Sequence, residues 1–316
     1  MIVTVTLNAA LDRTLTVPNF LQGHRHRASQ GLTLAGGKGI NVARALKRLD
    51  VPVVATGLAG GRTGTRIVEE LTAEAILNDF VRIGDESRTS TAVVDPMSSS
   101  FTEINEWGPH VEPDELETLR EKLRYLARGA EAVVFAGSLP RGVDDSFYAD
   151  AIRELNRMGV RTVLDADGAP LRLGLEAEPA LVAPNQHEAE ALVDQELDDE
   201  DFLMALDAIA DLGARTVLIT IDSGCYGLTR EERPVQHLHA GAPKVEPVSA
   251  VGAGDVLTAA FLATRLAGRP FADSLRYAVA AASASTLEVG AGRFEPREAG
   301  RLSAQVEVGE LEPVET

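Results

Sequence analysis

Cysteine is nearly absent from this chain. A single Cys225 in 316 residues excludes an internal disulfide framework and fits a reducing compartment. Long apolar runs are missing too, none approaching the roughly 20 residues of a membrane span. The opening Met1-Ile2-Val3-Thr4-Val5 lacks the basic region and apolar core of a secretion signal. A cytoplasmic protein without a membrane partner is therefore expected. The six histidines are scattered, with only His24/His26 and His237/His239 close together, so no zinc-ligand spacing occurs. Lysine is scarce: of 30 basic residues only Lys38, Lys47, Lys122 and Lys244 are not arginine. One of these four stands between glycines.

Positive charge is outweighed, leaving a net charge of −18 that disfavours nonspecific nucleic-acid binding. The acids gather in helix-like segments such as Glu112 to Glu121 and Asp194 to Asp201, where solvated faces are their expected role. The 45% hydrophobic and 25% charged fractions are those of an ordinary globular protein. The length allows one large α/β domain or two smaller ones.

Apolar periodicity gives the organisation. Ile2 to Leu7, Val51 to Leu58, Ala132 to Ala136, Arg161 to Leu164, Ala180 to Ala183 and Thr216 to Ile221 read as strands. Helical segments follow most of them. Such alternation predicts a parallel sheet covered on both faces, with all strand C-termini along one edge. Asn8, Gly57, Gly137-Ser138, Asp165, Asn185 and Thr220 fall on that edge, where open α/β sheets bind ligands. Thr89 to Asp95 and Phe101 to Asn105 predict a hairpin. The acidic tail from Val306 to Thr316 is expected to be loosely held.

Two glycine-rich stretches carry chemistry. Gly36-Gly37-Lys38-Gly39 is not a phosphate-binding P-loop: Gly39 follows the lysine where Ser or Thr is required, and Leu32 stands where the first glycine would fall. No Gly-x-Gly-x-x-Gly follows the first strand, so a dinucleotide site is not expected. Late in the chain, Val251-Gly252-Ala253-Gly254-Asp255-Val256-Leu257-Thr258 leads into an Ala-rich helical segment. Free amides and the dipole at a helix start make an anion site. An acid there repels the anion, yet suits a base that takes a proton from a hydroxyl attacking phosphorus. On this stretch alone Asp255 reads equally well as a helix cap.

Ala35-Gly36-Gly37-Lys38-Gly39-Ile40-Asn41-Val42-Ala43-Arg44 resembles the N-terminal signature of the ribokinase/PfkB sugar-kinase superfamily. Val248-Ser249-Ala250-Val251-Gly252-Ala253-Gly254-Asp255 resembles its C-terminal one. Thr6-Leu7-Asn8-Ala9-Ala10-Leu11-Asp12, Gly137-Ser138-Leu139-Pro140-Arg141-Gly142 and Pro184-Asn185-Gln186-His187-Glu188-Ala189 extend the likeness over nearly the whole chain. The phosphofructokinase B branch is the most similar. The resemblance implies one ribokinase-like domain over residues 1–316, a three-layer α/β/α sandwich with a small β-sheet lid from about 12–20 and 88–106. Such lids pair between subunits in many members, so a homodimer through the lid is expected.

The same resemblance implies ATP, Mg²⁺ and a sugar phosphate as ligands. Asp255 would be the base, with Gly252, Ala253 and Gly254 forming the anion hole. Asp12, Gly36, Gly37 and Asn41 would hold sugar hydroxyls, with Ser138 nearby. Lys38, Arg27, Arg88 and Arg141 would hold a phosphate already on the sugar, since free sugars need hydrogen bonds rather than cations. Asn185 and Glu188 would arrange Mg²⁺ through water. Thr220, Gly224, Gly227, Ser249, Ala281 and Glu288 would lie near the nucleotide. Departures from the pattern are Ala183 in place of a lysine, Thr89-Ser90-Thr91 after Arg88, Asp222 in place of a glycine, Glu288 in place of an Asn, and Ala250 in place of a threonine. They bear on substrate identity and nucleotide affinity more than on reaction type. The expected activity is phosphorylation of a ketohexose monophosphate, with D-fructose 1-phosphate ahead of fructose 6-phosphate and tagatose 6-phosphate. A free-sugar or nucleoside kinase and a non-catalytic phosphosugar sensor are the alternatives.

Overall fold

Strand and helix alternate along a computed structural model that describes residues 1–98 and 100–311. The first half contains β1 (Ile2–Thr6), β2 (Ala10–Thr16), β3 (Gln30–Gly36), α1 (Lys38–Arg48), β4 (Val53–Gly60), α2 (Gly61–Ala73), β5 (Leu77–Ile83), β6 (Arg88–Asp95), β7 (Ser100–Asn105) and α3 (Pro113–Ala127). Then come β8 (Ala132–Ala136), α4 (Phe147–Arg157), β9 (Arg161–Asp165), α5 (Gly168–Leu175), β10 (Leu181–Val182), α6 (Gln186–Val193), α7 (Phe202–Asp211), β11 (Thr216–Ile221), β12 (Gly224–Thr229) and β13 (Gln236–Gly241). The chain closes with α8 (Ala253–Leu266), α9 (Phe271–Ser285), α10 (Pro296–Ser303) and β14 (Val308–Glu310).

Ten strands form one sheet in the order β14-β13-β12-β11-β10-β9-β8-β1-β4-β5. From β11 to β5 every pairing is parallel. Alternate residues of the central strands feed opposite faces, as a period of two requires. Ile2, Ala132 and Val134 pack under α1, α8, α9 and α10, whereas Val3, Val5, Val133 and Phe135 pack under α3, α4 and α7. This is the expected three-layer sandwich. It differs from the expected all-parallel sheet at one end, where β12, β13 and β14 run antiparallel. The turn from Ile221 to Gly224 is too short for a crossover, so the chain can only fold back as a hairpin.

A second sheet, in the order β3-β2-β6-β7, forms the lid. Its β6–β7 hairpin is the expected one; Ser99 in its turn lies outside the described residues. Two boundaries differ from expectation. β3 supplies a third segment of the lid, and 17–20 leave the strand, with Asn19 and Phe20 amides donating to Asp95 instead. The tail also differs: Val306 is buried and Val308–Glu310 pairs with β13, so only 312–316 of the expected loose segment lies outside the described residues.

Candidate active site

The site begins at the N-terminus of α8. Gly252 enters it at φ 80°, and a Cβ there would lie 2.7 Å from Ala291 Cβ, so glycine is required on both counts. Among the described residues the amides of Gly254 and Asp255 have no hydrogen-bond partner, as the first turn of a helix dictates. No atom lies within 4 Å of a Cβ built on Gly254. The turn therefore presents open donors and a positive dipole end to a cleft.

Asp255 lies in the same turn, 6% exposed. Its Oδ2 accepts from Asn41 Nδ2 at 2.9 Å. Burial, followed by the nearby Asp165 carboxylate, pushes its pKa up to about 7, against the pull of Lys38 and Asn41. Asn41 is fixed in turn by Arg44, whose Nη1 donates to Asn41 Oδ1 at 3.2 Å and to the Ala291 carbonyl at 2.9 Å. Arg44 also donates to the Ala35 carbonyl and pairs with Glu74 at 2.6 Å. Sequence reasoning gave Arg44 no role. An arginine one helical turn after Asn41, flanked by Val42, Ala43, Ala45 and Leu46, was the available signal.

The Gly-Gly-Lys-Gly stretch joins lid to sheet. A Cβ on Gly36 would lie 1.9 Å from Asp12 Oδ2, so Gly36 makes room for that carboxylate. Burial raises Asp12 to about 6, although Arg88 opposes the shift. Arg88 Nε donates to the Asn8 carbonyl at 3.2 Å, and Asn8 Nδ2 donates to Ser138 Oγ at 3.2 Å and the Trp107 carbonyl at 3.4 Å. Lys38 Nζ donates to Asp165 Oδ1 at 2.7 Å and stands 3.6 Å from Glu188 Oε1. Burial works against its charge, but Asp165, Glu188 and Asp255 together hold its pKa above the ordinary lysine value. Lys38 is thus engaged by carboxylates as well as facing the cleft.

Asn185 and Glu188 cap α6 reciprocally: Asn185 Oδ1 accepts from the Glu188 amide, and Glu188 Oε2 from the Asn185 amide, both at 2.9 Å. The cap turns the Glu188 carboxylate toward Lys38, and burial raises its pKa.

Two cavities meet at α8. One, of about 420 Å³, lies between sheet edge and lid and takes in Asp12, Gly37, Lys38, Asn41, Arg88, Ser138 and Asp255. The other, about 700 Å³, runs from the Thr220–Gly224 turn to α9. Asn185, Thr220, Ala250, Ala253 and Gly254 border both. Ser90, Glu103, Asn105, Asp165 and Asp167 also line the first cavity. Only Asp165 among these was singled out as an edge residue, and none was given a role.

Several expected site residues lie elsewhere. Arg27 stays exposed between β2 and β3, and Arg141 is exposed with Nε on the Gly108 carbonyl; neither lines the cleft. Gly227 and Ala281 are core positions: a Cβ on Gly227 would lie 2.9 Å from Phe271, and Ala281 is fully buried. The next residue, Ala282, faces the second cavity instead. Glu288 borders neither large cavity, and Ser249 lies in a small gap beneath the lid.

Six carboxylates and two cations line the first cavity, an unfavourable balance for two phosphorylated ligands. Every candidate metal donor is an oxygen, which suits a hard divalent cation. Among the described residues no three acids or histidines are assembled as a ready cage.

A family model, pfkB family carbohydrate kinase, matches residues 3–298. The chain belongs to this family. It is 30% identical over 312 residues to a 1-phosphofructokinase of Borreliella burgdorferi, covering 98% of this chain and 99% of that one. Phosphofructokinase-2 from Escherichia coli, solved in complex with substrates and products, superposes with a TM-score of 0.89 at 29% identity, covering 96% of this chain and 98% of that chain. Arabidopsis thaliana ribokinase, with a TM-score of 0.74 over 96% of this chain and 98% of its own at 22% identity, shares the fold. This pfkB kinase is thus a phosphotransferase with an alcohol acceptor and a ribokinase-like sandwich. No helix among the described residues is long and apolar enough to cross a membrane.

Proposed function

We propose that residues 1–316 form one catalytic unit that transfers the γ-phosphoryl group of ATP to D-fructose 1-phosphate, giving fructose 1,6-bisphosphate. The observation that carries the reading is the meeting of two cavities at a buried acid on an open helix N-terminus. The lid-side cavity takes the acceptor and the α9-side cavity takes ATP, which sets the reacting groups on either side of Gly254. Asp255 Oδ removes the proton of the C6 hydroxyl as that oxygen bonds to phosphorus. The bond from phosphorus to the ADP oxygen breaks, and ADP leaves with its electron pair. The Gly254 and Asp255 amides meet the charge on the transferred oxygens, and the pKa of about 7 makes Asp255 an effective base near neutrality.

In this reading Asp12 and Asn41 take sugar hydroxyls, joined by Asn8 Oδ1 and Thr6 Oγ1, which lack a partner among the described residues. Arg88 is the cation for the acceptor's own phosphate, and Ser138 adds a hydroxyl beside it. Asn185 and Glu188 would hold Mg²⁺ through water, and the ion when bound neutralises phosphate charge in this acidic cleft. The 1-phosphofructokinase relative supports C1-phosphorylated fructose ahead of fructose 6-phosphate and tagatose 6-phosphate. A lid presenting Phe101 and Ile104, 46% and 62% exposed on an edge strand, supports a homodimer formed by two lids.

The test is ADP release with ATP and Mg²⁺ against fructose 1-phosphate, fructose 6-phosphate, tagatose 6-phosphate, fructose and ribose. Fructose 1-phosphate should give the highest kcat/KM. Faster turnover of fructose or ribose would reject the cationic acceptor pocket.

A further inference from the structure

Far from the cleft, four separate stretches of chain bring five arginines to one groove. Arg161 comes from the start of β9, Arg215 from the turn before β11, Arg230 from just past β12, and Arg265 and Arg269 from the last turn of α8 and the turn that follows it. The groove measures about 860 Å³. It opens at the sheet edge opposite the catalytic one. Asp255 in the first turn of α8 and Arg265 in its last are about 15 Å apart along the helix axis.

The charges in the groove do not cancel. Glu231 and Glu232 are the acids that line it. Glu231 stands 3.5 Å from Arg161 and 3.8 Å from Arg265, and Glu232 pairs with Arg265 at 2.5 Å. Arg230 turns to Asp211 at 2.6 Å, outside the groove lining. Arg215 and Arg269 are exposed, and no carboxylate lies within 4 Å of either among the described residues. The lining therefore keeps a formal excess of three positive charges in a chain whose net charge is −18. The carbonyl end of α8 opposes an anion here, but Arg265 Nη1 caps the turn by donating to the Arg269 carbonyl at 2.8 Å. Arg269 is further steadied over Tyr277, its guanidinium carbon 5.8 Å from the ring centroid. Solvated arginines on an acidic protein would be expected to scatter among its carboxylates. Convergence of five from distant segments, two of them unpaired, matches a site for a multiply charged anion, which guanidinium forks bind bidentately.

We propose that this groove is a second, non-catalytic site for a small phosphate-bearing anion, with Arg215 and Arg269 as its free forks. The test is calorimetric titration with inorganic pyrophosphate in metal-free buffer, comparing the wild-type chain with Arg215→Ser/Arg269→Ser. Both side chains are exposed, so the variant should fold and keep its kcat and its KM for ATP and fructose 1-phosphate. The wild type should show one binding event more than the variant, or at least about tenfold tighter binding, and keep it at about 150 mM salt. Equal stoichiometry and affinity in the two proteins would overturn the proposal. So would a difference that vanishes at that salt concentration, because diffuse screening would then explain it.

Discussion

At residue scale, the base proposed at Asp255 couples activity to instability. As the proposed base it works as the carboxylate, so kcat/KM should fall about tenfold per pH unit below about 7 and level off above it. A flat profile between about pH 5.5 and 8 would remove Asp255 as the base. For stability the sign is opposite. A folded pKa above the ordinary value of 3.8 means the folded chain binds a proton that the unfolded chain releases, so stability falls as pH rises from about 4 through about 7. Asp255→Asn keeps an acceptor for Asn41 Nδ2 and removes the buried charge. It should lower kcat at least about a hundredfold and raise the melting temperature at pH 8 by at least about 2 °C. A lower melting temperature would mean that attraction to Lys38 outweighs burial. The Gly-Ala-Gly-Asp run and Gly-Gly-Lys-Gly pointed to the cleft because glycine at a helix start is a local signal. Asp165 is marked only by its place at a strand end, and Ser90 and Glu103 carry no signal: Ser90 reaches the cleft only through the pairing of β6 with β2 and β7, which sets Asp12 and Asn105 beside it.

Elements differ in how openly the chain announces them. Ala132–Ala136 is an unbroken apolar run and Thr216–Ile221 is β-branched or apolar throughout, and both appear with those limits. β3 hides in a glycine-bounded stretch, with Gly31 and Gly36 diluting the alternation of Leu32 and Leu34. β13 alternates His237 and His239 with Leu238 and Ala240, too short a run to stand out, and pairing with β12 completes it as a strand. Gly227, expected near the nucleotide, packs in the core instead, and a glycine near a nucleotide and one admitting Phe271 and Leu218 look alike in sequence. α8 supplies the prediction at this scale. Its Gly254 faces open space where the two cavities meet, so Gly254→Val should leave the melting temperature within about 2 °C and lower kcat/KM for ATP at least about tenfold. Unchanged catalysis would place phosphoryl transfer away from this turn.

For the whole molecule, the proposed pairing of two lids sets the prediction. Light scattering at micromolar concentration should give twice the 33.6 kDa chain mass, and Phe101→Asp/Ile104→Asp should halve it. A wild-type monomer would leave the exposed lid residues without a partner. The sandwich was legible because its strands are buried and periodic. The lid was less so, because β7 is exposed along its whole length and burial gives it no pattern. Trp107, the one tryptophan of the chain, stands 87% exposed just past β7, with its carbonyl held by Asn8 at the cleft wall. The molecule therefore carries its own optical reporter. Any closure of the lid over the acceptor changes the solvent around a single indole, and its emission can follow binding without a label.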